Sequence, residues 1–289
     1  MNKVLDNSVI VVGAGRSGTT MLKNAFSVHP ELFGPQYELN YLWRYGNSML
    51  DHDMLDPNLH FSAKKGKHIR YKLASLLTQN PKKRLVEKTA ANVLRLRYVH
   101  CVLPQARIIH IIRDGRAVVA SAIQRWKYRP KASYLASKTL TIPLRDIPMV
   151  GFKYLINRLK TLSRGQNYLR SWGPRWPGID NDVEHLPLHA VCAKQWVISI
   201  KSALEQKSAI QMGQYMEVRY EKVVSNPIKE FERMAEFIDV NPFDKIFQDY
   251  IRFQIRTTSI DRWKKRLRGK ALEEVMGIIG KLQRELGYN

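Results

Sequence analysis

"VIVVGAGRSGTTML", residues 9–22, joins three signals in one short run. Gly13 and Gly18 stand five apart, as in the phosphate-binding pattern G-x-x-x-x-G-K-[ST], with Thr20 at the Ser/Thr position and Thr19 where that pattern has lysine. Ahead of the glycines, Val9 to Val12 form an apolar run suited to a strand buried on both faces. Behind them Met21, Leu22, Ala25 and Phe26 recur at helical spacing until Pro30. A glycine-rich turn between a buried strand and a helix N-terminus gathers an anion, because unpaired N–H groups and the positive end of the helix dipole meet there. Arg16, Ser17, Thr19 and Thr20 add one cation and three hydroxyls to the same turn. A phosphate site is expected, without the usual lysine.

Outward from this stretch, "RLVEK" (84–88), "RIIHIIR" (107–113) and "YMEVRY" (215–220) read as strands and alternate with helical patterns. That alternation predicts a parallel sheet with crossover helices. The helical patterns are Ile69/Leu73/Leu76/Leu77, Val93/Leu94/Leu96/Val99/Leu103 and Ile228/Phe231/Ala235/Ile238. The last of these opens on Asn226 as N-cap with Pro227 at the first helical position. Leu272, Val275, Met276, Ile279, Leu282 and Leu286 describe an amphipathic closing helix that stops at Gly287. The expected fold is α/β: a P-loop-containing parallel β-sheet flanked by helices, one domain over residues 1–289. Residues 127–187, punctuated by Pro130, Pro143, Pro148, Gly151, "WGPRWPG" (172–178) and Pro187, read as a basic, irregular insertion. It adjoins the C-terminal ends of the strands, where such sheets bind ligands, and is the candidate acceptor groove.

With 289 residues, 44% of them hydrophobic, the chain can build one large core. No run approaches the ~18 apolar residues of a membrane helix, and the first strand begins too early for a signal peptide to precede it. Cys101 and Cys192 are far apart and form no C-x-x-C, which points to a reducing, cytoplasmic setting and no disulfide framework. No metal site is expected, since Pro187 breaks the helix that would align His185 and His189. The net charge of +23 draws anionic partners: nucleotide, acidic polysaccharide, an anionic membrane surface or nucleic acid.

"IIHIIRDGRAVVASA" (108–122) repeats the strand-to-helix arrangement, with Arg113 at the strand end and Ser121 eight residues on. Read alone, Arg113 and Asp114 are equally a structural ion pair. Read with the first loop, Arg113 and Ser121 address a second phosphate. A kinase needs the loop lysine and an acidic Mg²⁺ ligand to neutralise its γ-phosphoryl group. A sulfuryl group carries fewer negative oxygens, so its transfer needs neither.

"GAGRSGTTML" together with "IIRDGRAVVAS" resembles the nucleotide-binding pair of the sulfotransferase family, which uses 3′-phosphoadenosine 5′-phosphosulfate (PAPS). The resemblance implies that Arg16, Ser17, Gly18, Thr19 and Thr20 hold the 5′-phosphosulfate, and Arg113 and Ser121 the 3′-phosphate. "HPELFGPQYELNYLW" (29–43) is similar to the segment where carbohydrate and tyrosylprotein sulfotransferases keep a catalytic glutamate, here Glu38. "VEKTAANVL" (86–94) resembles their E-K-T-P-x-Y segment, with Ala90 and Asn92 in place of proline and the aromatic residue. "VRYEKVVSNP" (218–227) and the terminal "RWKKRL" also fit, and imply that Trp263 and Lys264 contact the nucleotide. Arg16 within the first loop is similar to the carbohydrate and protein-modifying branches, and a bacterial source is expected.

The implied reaction is in-line sulfuryl transfer to a hydroxyl, with Glu38 as general base and Arg16 and Lys88 stabilising charge on the leaving phosphate. Glu31 and the Asp51/His52/Asp53 cluster are alternative bases. Glu38 could instead partner Arg44, and Lys88 could pair only with Glu87. A saccharide acceptor is favoured, with Trp126, Trp172 and Trp176 as stacking platforms. A tyrosine or small alcohol acceptor, a P-loop kinase, and a basic nucleic-acid-binding protein are the alternatives.

Overall fold

The computed structural model describes residues 3–78, 84–127, 172–257 and 260–288. Five strands form one sheet: β1 (Val9–Val12), β2 (Leu32–Phe33), β3 (Arg84–Glu87), β4 (Arg107–Ile112) and β5 (Tyr215–Arg219). Their order is β2-β3-β1-β4-β5, and every pairing is parallel. In register, Val9 stands opposite Val86 on one side and Arg107 on the other. Strand β2 has two residues and therefore no periodicity by which a sequence pattern reveals it.

Alternate residues of the central strands bury into opposite layers, as the two-residue period of a strand requires. Ile10, Val12 and Ile108 pack with Ile69, Leu73 and Val99, from helices Ala63–Thr78 and Leu96–Val102. Val9, Val11, Ile109 and Ile111 pack with Leu22, Phe26, Phe231 and Phe247, from helices Thr19–Val28, Pro227–Phe237 and Lys245–Gln254. A third cluster joins Ile112 to helices Gly115–Lys127, Leu188–Gln206 and Gly269–Glu285. Each such side chain, once buried, contributes about 1.5–3 kcal/mol.

Three local expectations change. The pattern at 93–103 is not one helix: a 3₁₀ turn, Ala90–Leu94, is separated from Leu96–Val102 by Arg95 at φ −147°. Asn226 stands at the N-cap position before Pro227 but its side chain makes no cap bond. Of the insertion, 128–171 lies outside the described residues, and 172–187 contains a helix, Ile179–His185, rather than irregular chain alone. The closing helix ends as expected: Gly287 takes φ +75°, and Tyr288 N–H reaches the Gln283 carbonyl at 3.0 Å in a Schellman closure. Among the described residues no helix is long and apolar enough to cross a membrane.

The chain leaves β1 toward β2 and β3, and leaves β4 toward β5. Adjacent strands thus send their connections apart, which opens a crevice beyond their C-terminal ends.

Candidate functional site

The loop after β1 fills one lip of that crevice, and its glycines are sterically required. A Cβ on Gly13 would lie 2.5 Å from the Ile111 carbonyl oxygen. Gly18 holds φ +105°, and a Cβ there would lie 2.7 Å from the Tyr220 ring. Gly18 is also the N-cap of helix Thr19–Val28 and supplies no side-chain cap, so the first-turn N–H groups face the crevice uncapped. Ser17 is fully buried, and among the described residues its hydroxyl has no hydrogen-bond partner; Thr19 is buried and Thr20 exposed. A buried hydroxyl left over beside an uncapped helix start suits an anionic oxygen.

The loop after β4 forms the other lip. Arg16 Nε donates to Ser121 Oγ at 3.0 Å, and Arg113 Nη1 donates to the Arg16 carbonyl at 3.2 Å. The Arg113 guanidinium lies over the Tyr220 ring at 3.9 Å, and Trp196 Nε1 donates to the Arg113 carbonyl at 3.2 Å. Asp114 is engaged by Arg116 and by Gln283 Nε2 at 2.8 Å. Burial, then the neighbouring Arg125 and Arg113, hold the Arg16 pKa below its ordinary value; burial does the same to Arg113. Cations crowded in this way gain from an anion placed between them.

At the end of β3, Lys88 Nζ meets Glu38 Oε1 at 2.5 Å, and Ala90 N–H reaches Glu38 Oε2 at 3.3 Å. The Lys88 side chain is 11% exposed and that of Glu38 41%. Glu38 is therefore partly open to solvent and held by a cationic partner. Lys88 does not turn to Glu87, and Arg44 goes to Asp53 and the Leu50 carbonyl rather than to Glu38. Asp53 is 1% exposed, and its two oxygens take donors from Asn40 and the Arg175 backbone inside the fold. Glu31 precedes β2, opposite the start of β3, and thus lies at the far edge of the sheet. Lys23, absent from the sequence reading, joins the site from helix Thr19–Val28: its Nζ donates to the Pro35 carbonyl at 3.1 Å, and burial followed by the Lys88 charge lowers its pKa. Its helical position resembles any solvated lysine, so only the contact reveals it.

The sequence profile of the sulfotransferase family matches residues 8–146 and 155–245. The chain belongs to the sulfotransferase family. Its fold is similar to the sulfotransferase domain from the curacin biosynthetic pathway, at 17% identity, 99% coverage of both chains and a TM-score of 0.58. The sulfotransferase domain of the Synechococcus PCC 7002 olefin synthase matches at 18% identity, with 98% of this chain and 94% of that one covered and a TM-score of 0.54. The Mycobacterium avium sulfotransferase STF9 matches at 13% identity, with 99% and 79% covered and a TM-score of 0.56. No curated protein matches the chain.

In this sulfotransferase Trp126 and Trp176 are buried, 0% and 5% exposed, and cannot serve as sugar platforms. They close the third core cluster, where a large ring contributes more than it would in a groove. Trp172 packs edge-on to Trp126, and its ring lies 3.1 Å from where a Gly15 Cβ would stand, so it backs the phosphate loop. Trp263 receives the Arg116 guanidinium at 4.5 Å, beside the start of the helix that carries Ser121. Lys264 is exposed and pairs with Asp261 at 2.8 Å. His185 contacts the Asn181 carbonyl and His189 contacts Glu274, and among the described residues no cluster of metal-ligating side chains forms.

Proposed function

We propose that this sulfotransferase moves a sulfuryl group from PAPS to a hydroxyl of a saccharide, without metal. The supporting observation is a convergence: Arg16, Arg113 and Ser121 meet beside a buried Ser17 hydroxyl without a hydrogen-bond partner among the described residues, and an uncapped helix start. The bound nucleotide supplies the sulfuryl group and a phosphate leaving group. Ser17, Gly18, Thr19 and Thr20 grip the 5′-phosphosulfate with hydroxyls and N–H groups. Arg113 and Ser121 grip the 3′-phosphate, and Arg16, whose backbone belongs to one loop and whose guanidinium reaches the other, spans both. Lys88 neutralises charge growing on the departing phosphate, and Glu38, exposed to an incoming acceptor, takes the hydroxyl proton. Trp263 and Lys264 border the nucleotide from the C-terminal side.

A saccharide is favoured over a tyrosine or a small alcohol by charge. Between residues 127 and 180 the sequence carries eleven Lys/Arg against Asp146 and Asp180, enough to hold carboxylates or existing sulfates. The carbohydrate-modifying branch, a bacterial cytoplasm and contact with an anionic envelope precursor belong to the same reading.

Calorimetry without magnesium tests the donor. 3′-Phosphoadenosine 5′-phosphate (PAP) should bind tightly, and 5′-AMP and ADP weakly; a preference for ADP, or dependence on magnesium, would mean phosphoryl chemistry on an altered loop. A chelator should leave sulfuryl transfer intact. Glu38→Gln should keep PAP binding and lower turnover by about a hundredfold or more, as removal of a general base does.

A further inference from the structure

The residues flanking Lys88 belong to a buried polar chain that the proposed chemistry leaves unused. Glu87 is 1% exposed and turns into the fold while Lys88 turns to Glu38. Its Oε1 accepts the Thr89 hydroxyl, and its Oε2 accepts Asn92 Nδ2 at 3.0 Å. Thr89 Oγ1 in turn accepts the Leu39 N–H at 3.0 Å. Asn92 Oδ1 accepts Arg95 Nε at 2.9 Å, and Arg95 Nη2 donates to Asn40 Oδ1. Asn40 Nδ2 then donates to Asp53 Oδ1 at 3.1 Å. Thr89, Asn92 and Arg95 are all fully buried. By two routes, one carboxylate holds the two residues that follow Glu38.

We propose that Glu87 is a positioning residue, whose ionised carboxylate fixes Leu39 and Asn40 and thereby holds Glu38 against Lys88. The proposal rests on the reading of Glu38 as the base. Bond directions favour the ionised form: with the Leu39 N–H on the Thr89 oxygen and Arg95 on the Asn92 carbonyl, the Thr89 hydroxyl and the Asn92 amide N–H both turn as donors to Glu87. A protonated carboxyl would set its own O–H against one of them. Asn92, a departure from E-K-T-P-x-Y, supplies half of this grip. Burial above all, with Glu38, opposes the Glu87 charge; the Thr89 hydroxyl and the Trp43 indole, and then Arg95, favour it. Asp53 and Arg44 bear on Arg95 from the other side. Burial first, with Glu38, pushes the Glu87 carboxyl up to about 7, so the grip weakens as pH falls through neutrality.

The test compares wild type, Glu87→Gln and Glu38→Gln by three readouts: PAP affinity, PAPS turnover with water as acceptor, and amide exchange at Leu39 corrected for its intrinsic pH dependence. Glu87→Gln should bind PAP like wild type, lose about tenfold or more in turnover, and lose Leu39 protection. Wild type should protect Leu39 better at pH 8 than at pH 6, and Glu87→Gln should lack that difference. Unchanged Leu39 protection and turnover in Glu87→Gln would overturn the proposal. If Glu38→Gln keeps full turnover, the base reading falls, and Leu39 protection still decides whether Glu87 positions the segment. If Glu87→Gln fails to bind PAP, Thr89→Ser, which keeps the hydroxyl, is set against Thr89→Val. Rescue by serine alone supports the grip; equal behaviour of the two overturns it.

Discussion

Lys88 and Glu87 are neighbours in the chain with opposite surroundings. Lys88 reaches an exposed carboxylate across the crevice mouth, while Glu87 is sealed among hydrogen-bond donors. Burial raises the Glu87 value from 4.5 to about 7, so between those limits the folded chain binds more protons than the unfolded one. Stability from this group is therefore present at the acid end, is lost as pH rises through that window, and stays lost above it. Glu87→Gln cannot titrate. Relative to wild type it should gain on the order of 3 kcal/mol between pH about 4.5 and about 8, on top of a constant offset for its mismatched bonds. Urea unfolding of both proteins at the two pH values measures this; a difference independent of pH would show that the side chain titrates as an ordinary carboxylate. His110, fully buried and held down to about 4 chiefly by desolvation, favours unfolding as pH falls below its ordinary 6.5 and partly cancels the trend in wild type. The comparison of variants removes that cancellation, because both keep His110.

The strand-turn-helix element at residues 9–28 depends on glycines for different reasons. Gly13 abuts a backbone oxygen of β4 that cannot swing away, so Gly13→Ala should cost about 1–3 kcal/mol and impair PAP binding, as insertion of a methyl into a packed site does. Gly178 offers a control: it holds φ +84°, and among the described residues nothing lies within 4 Å of an added Cβ. Gly178→Ala should cost only the left-handed strain of about 1–2 kcal/mol and leave PAP affinity unchanged. Thermal unfolding and calorimetry on the two variants separate the effects. Loss of affinity in both would implicate general loosening rather than the loop.

At the scale of the whole molecule, the proposed anion site draws on distant parts of the chain. Gln283, in the closing helix, accepts the Gly115 N–H at 2.9 Å and donates to Asp114 at 2.8 Å, which ties the last element to the loop after β4. Gln283 is 1% exposed, and its truncation would leave a buried N–H unpaired. Gln283→Ala should therefore cost about 1–3 kcal/mol in stability. Because that loop carries Arg113, proposed above to hold the 3′-phosphate, Gln283→Ala should also weaken PAP more than 5′-AMP. Equal losses for the two nucleotides would separate the closing helix from the 3′-phosphate contact. The net charge of +23 makes all anion binding here fall with salt, so these affinities are compared at one ionic strength.

What was legible in the sequence was local. A buried strand, a glycine turn and a helix start each leave a pattern within a few residues, so β1, β3, β4 and β5, the parallel sense of the sheet and the two strand-to-helix turns after β1 and β4 could be read without coordinates. Strand β2 was too short to leave such a pattern, and Lys23 looks like any surface lysine. The tertiary structure decided the partners. Lys88 chooses Glu38, fifty positions away, over adjacent Glu87; Asp53 is consumed in the interior; Trp126 and Trp176 go to the core instead of a groove. A residue's identity states what it can bond, but its charge state and partner depend on how much water remains around it and on which segment the fold brings within about 3 Å, and both are set only when the layers close.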